Sequence, residues 1–230
     1  YRTNGLTGFN PNLGASRSTG VEAGLRGRQA WGSWSATLFD TRSSDEIVVL
    51  SNTGGRSTFQ NAGRTRRHGL ELAGVMQWGR FTVTPAYTWM DAVYRDGFLT
   101  CAGTPCNTPS APVAAGNHLP GLAKQQAYLQ VAYEPGWANS VFTLEAMHTG
   151  RMAVNDRNTE STAASTVFNL GVRFEQQRGD WTLREFVRID NLTNRTYAGS
   201  VIVNEGNGRF YEPGAGRSAY VGLELVRRFR

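Results

Sequence analysis

Apolar and polar residues alternate along most of this chain of 230 residues. Near its end, Val221, Leu223 and Leu225 share one parity, whereas Gly222 and Glu224 share the other. Successive side chains of a β-strand point to opposite faces, so this segment is predicted to be a strand with one apolar and one more polar face. The pattern recurs about nine times. The predicted strands span about 19–29, 33–41, 66–78, 81–94, 125–134, 140–151, 166–177, 181–190 and 217–229.

Short and long connections alternate between these strands. The short ones are Trp31-Gly32, 78–80, 135–139 and 178–180, and the long ones are 42–64, 95–123, 152–164 and 191–216. A barrel that crosses a membrane has this asymmetry, because its turns are tight on one side and its loops are long on the other. Most of the tryptophans lie at or beside the short turns, as interfacial aromatic residues should.

Two local features qualify the strand assignment. Ile47–Leu50 is a short apolar run inside the first long loop, and it predicts that this hairpin extends beyond the main sheet. Pro85 lies within the fourth strand, where proline cannot donate a ladder hydrogen bond. We expect a β-bulge to absorb it.

Composition narrows the function classes. No stretch approaches 18 uninterrupted apolar residues, so no transmembrane helix is expected. A barrel strand needs only about ten residues with every second one apolar, which is compatible with the mean hydropathy of −0.40. The net charge of +6 comes from arginines scattered along the chain. A nucleic-acid-binding protein would cluster them, so no nucleic-acid partner is expected.

Several motifs occur in an order and spacing that resemble one family. They are Asn10-Pro11-Asn12-Leu13, Asn61-Ala62-Gly63, His68-Gly69-Leu70-Glu71-Leu72, Leu119-Pro120-Gly121 and Asp190-Asn191-Leu192-Thr193-Asn194-Arg195-Thr196-Tyr197. Together with the final alternating strand, they resemble the C-terminal half of a TonB-dependent outer-membrane receptor of a Gram-negative bacterium. The resemblance covers nearly the whole chain.

The resemblance implies a barrel of about 22 strands filled by an N-terminal plug. Ligand would bind from outside, and an inner-membrane complex would open the plug with proton-motive force. Residues 1–230 are therefore expected to form an all-β, antiparallel, up-and-down transmembrane β-barrel segment without the plug, the TonB box and the N-terminal strands. The implied partners are outer-membrane lipid, TonB through the plug, an iron chelate such as a ferric siderophore, and the barrel assembly machinery through the final strand.

Cys101 and Cys106 lie in the longest loop, which is rich in proline. They could form a metal or redox pair, or a disulfide that clamps an external loop in an oxidising compartment. The disulfide is the preferred interpretation. A bridge across so small a loop stabilises by at most a few kcal/mol, so it would shape the loop and would not hold the barrel together.

The remaining candidate residues are contacts for a ligand. His118 sits in a long loop beside Leu119-Pro120, and four aromatic residues share the loops: Phe98, Tyr197, Phe210 and Tyr211. The three histidines have no partner at metal-ligand spacing, so no metal site is expected. No nucleophile triad, phosphate-binding loop or paired-carboxylate cleft emerges, so neither an enzyme nor a cofactor is expected.

Two alternative classes remain open. A small, self-contained outer-membrane pore or adhesin-like barrel predicts an even, closed set of strands. A soluble β-sandwich binding module predicts that Phe168, Leu170, Val172 and Phe174 are buried between two sheets.

Overall fold

The computed structural model describes residues 10, 12–53, 56–103, 106 and 108–229. Fifteen strands and no α-helix occur among these residues, and none of their segments is a helix long and apolar enough to cross a bilayer. The strands are β1 Arg17–Gln29, β2 Gly32–Ser44, β3 Ile47–Thr53, β4 Arg56–Asn61, β5 Thr65–Trp78, β6 Phe81–Tyr94, β7 Phe98–Thr100, β8 Ala111–Val113, β9 Gln125–Tyr133, β10 Val141–Thr149, β11 Ser165–Arg178, β12 Trp181–Asp190, β13 Ala198–Val201, β14 Tyr211–Pro213 and β15 Ser218–Arg227.

Nine of these strands form one antiparallel meander in the order β1-β2-β5-β6-β9-β10-β11-β12-β15. All nine predicted strands are present, and β6 and β12 have the predicted bounds. The second strand is longer at both ends than predicted, whereas the sixth and ninth are shorter. Within the described residues β1 pairs only with β2 and β15 only with β12, so the meander is open at both edges.

The other six strands form three two-stranded ribbons within the long connections. The ribbon β3–β4 is the predicted hairpin extension, although it runs to Thr53 instead of ending at Leu50. The ribbons β7–β8 and β13–β14 lie where irregular structure was expected, so that expectation was wrong. Their strands have only three or four residues, which is too short for an alternation to be recognised.

Pro85 stays in its strand without a bulge, contrary to expectation. The register between β5 and β6 is the same on both sides of it, from Ala73 opposite Ala86 to Met76 opposite Val83. On the other side the ladder with β9 is continuous, and Pro85 lies opposite Leu129. The lost donor therefore interrupts only the ladder to β5, and the sheet tolerates it in place.

One face of the meander is apolar across all nine strands, and none of the other described residues forms a layer over it. Leu144, for example, lies between Val131 on β9 and Leu170 on β11. Leu25, Val221 and Leu223 are each more than 70% exposed. Such a continuous exposed apolar surface is not compatible with water and requires hydrocarbon around it.

The β-sandwich alternative is therefore wrong. It required four side chains of β11 to be buried between sheets, but Phe168 is exposed and Leu170, Val172 and Phe174 are only partly buried. No second sheet packs against the meander among the described residues. The side chains of β11 that are fully buried belong to the opposite face, namely Val167 and Asn169.

Aromatic rings mark one boundary of the apolar face, near the short turns. Phe81 stacks on Tyr133 with centroids 4.8 Å apart, and Trp137 packs against Phe174 at 5.7 Å. Glu185, a charged residue on the apolar parity, lies directly opposite Phe174. It is therefore at this aromatic boundary, where the cost of a charge facing lipid is small.

Ionisable residues mark the other boundary. Asp40, His68 and Asp91 lie side by side on β2, β5 and β6, on the same parity as the apolar residues below them. Phe81 and Asp91 are ten residues apart on β6, or about 33 Å along the strand at about 3.3 Å per residue. At a strand tilt of about 40° this is a belt about 25 Å tall, the height of the hydrocarbon region of an outer-membrane barrel.

The opposite, polar face carries hydrogen-bonded charges. Arg188 on β12 donates to Glu145 on β10 at 2.6 Å and to Asp190 at 2.7 Å. Glu145 also accepts from Gln130 on β9 and Asn169 on β11, so one carboxylate is bonded to three other strands. A hydrated barrel interior tolerates such networks, because the charges are paired and reach water.

We predict that the two faces of β10 respond oppositely to arginine. Leu144 on the apolar face and Met147 on the polar face are 45% and 42% exposed. Leu144→Arg should destabilise the protein in lipid vesicles by about 2–4 kcal/mol, because it places a guanidinium in hydrocarbon. Met147→Arg, the matched control, should cost clearly less. Reversible unfolding in vesicles measures both, and equal costs would contradict the assignment of the faces.

Candidate functional site

The only apolar core of the described residues lies above the sheet, beneath the long connections. We call these connections loops L1 (45–64), L2 (95–124), L3 (150–164) and L4 (191–217). Ala62 from L1 packs with Tyr94 at the end of β6 and with Val113 and Leu119 from L2. Because Tyr94 belongs to the polar parity of β6, the loops fold inward over that face.

Asp156 of L3 lies at the centre of this region and is 0% exposed. Its Oδ1 accepts a hydrogen bond from the Tyr94 hydroxyl at 2.6 Å, and its Oδ2 accepts one from Asn204 Nδ2 of L4 at 2.7 Å. Its backbone N–H donates to Asn204 Oδ1 at 3.0 Å, and its carbonyl accepts from Asn117 Nδ2 of L2 at 2.9 Å. Asn204 Nδ2 also donates to the carbonyl of Val49 in L1.

We call the four side chains of Asp156, Tyr94, Asn117 and Asn204 the loop knot. Further bonds surround it. Asn158 of L3 exchanges two hydrogen bonds with the backbone of His118 in L2, at 2.6 and 2.8 Å. The backbone N–H of Gly206 in L4 donates to the carbonyl of Asn52 in L1 at 2.9 Å. All four loops are thus connected by buried or partly buried polar contacts.

The knot contains a carboxylate without a cationic partner. No salt bridge among the described residues includes Asp156. Burial raises the pKa of Asp156 above its usual value, and the hydrogen bonds from Tyr94 and Asn204 oppose this effect only in part. The carboxylate therefore acts as a buried double acceptor and not as half of an ion pair.

Two other acidic groups of the loops have the opposite shift. Arg64 donates hydrogen bonds to the Asp96 carboxylate from its guanidinium and from its backbone N–H. These bonds lower the pKa of Asp96 to about 2. Burial alone would raise the pKa of Glu46, but the bonds from Arg67 at 2.9 Å and from Thr65 at 2.9 Å hold it below its ordinary value. The first pair connects L1 to L2, and the second connects L1 to the start of β5.

A polar cavity of about 230 Å³ adjoins the knot, and we call it the chamber. Every loop contributes to its wall. The lining residues are Ser51, Thr100, Cys101, Ala102, Gly103, Asn155, Arg157, Thr159, Glu160, Asn204, Glu205, Gly206 and Phe210. The Glu205 carboxylate accepts from the backbone N–H groups of Asn207 and Arg209, both at 2.8 Å, so it caps its own turn. Besides Glu205, the charged and aromatic side chains of the wall are Arg157, Glu160 and Phe210.

A second, wider cavity of about 740 Å³ lies at the short-turn end. On the polar parity it is lined mostly by small side chains, among them Ser33, Ser35, Ala73, Thr84 and Ala86. Arg26, Arg28 and Val75 complete the wall on this parity, so two arginine side chains border a floor of small residues. Such a shallow floor suits packing against a further body.

The structure separates the candidate ligand residues. Only Phe210 lines the chamber. The Tyr211 ring is next to it, with centroids 6.3 Å apart, and its hydroxyl donates to the Ser161 carbonyl at 3.2 Å. Phe98 instead packs edge-on against Tyr94 at 4.9 Å, within the loop core.

His118 and Tyr197 also lie away from the chamber. The His118 ring is 3.6 Å from Asp91, a residue of the apolar parity, so it lies at the outer rim of the sheet. Tyr197 covers Gly214, where a Cβ would lie only 2.3 Å from the ring. Cys101 and Cys106 are joined in a disulfide, and Cys101 forms part of the chamber wall.

No local pattern in the sequence indicated the loop knot. Its members come from the end of β6 and from three different loops, and each is an ordinary polar residue where it stands in the sequence. Only the folded loops bring them together. Asn-Asp-Arg-Asn at 155–158 is a polar run that is typical of a turn, and it contains no motif that would distinguish a buried acid from a solvated one.

The described residues contain no group of three or more His, Cys, Asp or Glu side chains placed to hold a metal ion.

Solved structures share this fold. The siderophore receptor PiuA from Acinetobacter baumannii superposes with a TM-score of 0.73 at 19% identity, over 92% of this chain and 28% of that chain. The ferric citrate transporter FecA gives 0.70 at 17%, over 91% and 31%. The copper transporter OprC gives 0.67 at 15%, over 95% and 32%. The chain thus spans less than a third of the length of these neighbours.

A family model described as TonB dependent receptor-like, beta-barrel, matches residues 1–192. That is most of the chain, and it includes the first eight strands of the meander. The motifs, the membrane-facing belt, the inward-folded loops and this match agree. The chain therefore belongs to the family of TonB-dependent receptors, whose β-barrels lie in the outer membrane of Gram-negative bacteria.

Proposed function

We propose that the chain is the C-terminal part of the barrel of a receptor that imports a scarce ligand too large for porins. A ferric siderophore or a similar iron chelate is the ligand class we favour. The observation that carries the proposal is the polar chamber that all four loops enclose at one end of a membrane-facing sheet. The names of the structural neighbours, which include siderophore and ferric citrate receptors, agree with it.

We propose that the remaining strands and a plug come from sequence outside residues 1–230, and that TonB acts through the plug. Two features support this. The meander of described residues has unpaired edges at β1 and β15, which a barrel must close in lipid. The depression with Ser35 and Ala73 in its floor and Arg26 at its border offers a packing surface on the polar face. A self-contained pore is less well supported, since it needs β1 to pair with β15.

The final strand supports one further partner. Its apolar parity, from Ala219 to Leu225, is exposed along an unpaired edge. An exposed edge of this kind can add a strand from another protein. We propose that the barrel assembly machinery recognises β15 during insertion.

Among the candidate ligand residues, Phe210 and Tyr211 are the ones we propose as contacts. Phe210 lines the chamber, and the Tyr211 ring is next to it and half exposed. The same wall carries Arg157 and the carboxylates of Glu160 and Glu205, so it offers both donors and acceptors to the polar groups of a chelate. Phe98, His118 and Tyr197 are engaged in packing or lie at the outer rim, so we assign them no ligand contact. No catalytic activity is proposed.

One prediction of the proposed function concerns energised uptake. Cells whose only receptor of this kind contains this chain should accumulate radiolabelled iron supplied as a citrate, hydroxamate or catecholate complex. Uptake of at least one complex should saturate, and a protonophore or loss of TonB should abolish it. Protonophore-resistant uptake would indicate a passive pore, and no uptake of any complex would contradict the ligand class.

Another prediction of the proposed function concerns the chamber. Phe210→Ala should raise the half-saturating chelate concentration about 3- to 10-fold, because an aromatic contact contributes about 0.5–1.5 kcal/mol. Phe186→Ala is the matched control, since Phe186 lies on the polar face of β12 over Gly222 and away from the chamber. Equal half-saturating concentrations in the two variants would contradict the assigned role of Phe210.

A further inference from the structure

We propose that Asp156 is a positioning residue whose hydrogen bonds join loops L1 to L4 into one collar and thereby set the shape of the chamber. The consequence for uptake rests on the proposed function, whereas the coupling of the loops does not. The proposal follows from where the bonds of Asp156 end, from its burial, and from the position of the chamber wall relative to the knot.

Asp156 and its partner Asn204 together connect all four loops. The two carboxylate oxygens of Asp156 are bonded to the end of β6 and to L4, and its carbonyl is bonded to L2. Asn204 extends the connection to Val49 in L1. Without Asp156, the Tyr94 hydroxyl and the Asn204 amide would lack their acceptor in a buried place, so the loops could no longer close over them unchanged.

The loop knot and the chamber wall are continuous along the chain. Asn155 and Arg157, the neighbours of Asp156, both line the chamber. Glu205 and Gly206 follow Asn204 and line it too. A shift of the knot therefore moves the wall from at least two sides, whereas Asp156 itself is fully buried and does not touch a ligand in the chamber.

The side chain of Asp156 accepts two hydrogen bonds at once, from Tyr94 and from Asn204, and a carboxylate satisfies both donors. Asparagine has the same shape but only one acceptor oxygen. Its NH2 group would face the Asn204 amide, or it would face the Tyr94 hydroxyl and force that group to accept instead of donate. Since Asp156 has no cationic partner among the described residues, Asp156→Asn removes an acceptor without breaking a salt bridge.

Hydrogen exchange on the complete receptor in lipid nanodiscs, without ligand, tests the coupling. Asp156→Ala should raise exchange in peptides from all four loops, by about tenfold or more, while the strands of the meander keep their protection. The control is Asp96→Ala, which breaks the exposed pair with Arg64 and should affect only the neighbouring ends of L1 and L2. Faster exchange confined to L3 in Asp156→Ala would overturn the proposal.

Milder variants keep the test valid should Asp156→Ala fail to fold. Tyr94→Phe removes one donor and keeps the ring that packs on Phe98. It should raise exchange in L2, L3 and L4 less than Asp156→Asn does, and the double variant should be less affected than the sum of the two. Strict additivity would mean that the two residues act separately, contrary to the proposal.

Measurements of uptake then test the coupling of the loops by Asp156 separately from the proposed function. With the iron complex that the unmodified receptor accumulates best, Asp156→Asn should raise the half-saturating concentration several-fold and leave the maximal rate unchanged. A lower maximal rate at unchanged half-saturation would contradict positioning and indicate loss of folded receptor. If no complex is imported by any form, the proposed function fails, but the exchange result still decides whether Asp156 couples the loops.

Discussion

Contact with lipid on the apolar face of the meander determines how the described part of the chain is built. Side chains such as Leu25 and Leu223 remain mostly exposed on this face, and among the described residues no second layer packs there. Hydrocarbon must cover these side chains, and in hydrocarbon each backbone N–H and C=O needs a partner within the protein. The ladders of the nine-stranded meander provide most of those partners. The ladder between β5 and β6 is interrupted at Pro85 without a change of register, and the outer edges of β1 and β15 need partners beyond the meander.

Contact with lipid also explains where the buried core lies. Because the sheet faces lipid on one side and a hydrated interior on the other, it has little apolar core of its own. The core forms instead where loops L1 and L2 fold over the polar face, around Tyr94 and Leu119. Buried polar groups accompany it, and Asp156 is the deepest of them. The loops that we propose to recognise a ligand are thus packed on one another.

The sequence predicted the sheet well for a physical reason. Strands that separate lipid from water must alternate strictly, so Phe81–Tyr94 and Trp181–Asp190 could be delimited without coordinates. The expected bulge at Pro85 was wrong because the sequence does not reveal which neighbouring ladder loses a hydrogen bond. The short ribbons were missed because three or four residues, with Pro112 or Pro213 among them, carry no recognisable alternation.

The site was far less predictable than the sheet. Phe210 could be proposed from its residue type, but its position in the chamber wall depends on how L4 meets L3. His118 resembled a ligand residue in the sequence, yet the backbone bonds to Asn158 hold it at the outer rim. The contacts within the loop knot join residues up to 62 positions apart, and the bond from Asn204 to Val49 spans 155. Interactions of that range leave no local pattern in a sequence.

Contact of the apolar face with hydrocarbon is measured most directly by the accessibility of spin labels placed one at a time along β10 in lipid vesicles. Labels at Phe142, Leu144 and Ala146 should be reached by molecular oxygen dissolved in the hydrocarbon, whereas labels at Thr143, Glu145 and Met147 should be reached by a water-soluble nickel chelate. A strict alternation of two residues between the two reagents is the expected result. Low accessibility to both reagents at Leu144 and its apolar neighbours would mean that protein covers this face, and would contradict the account.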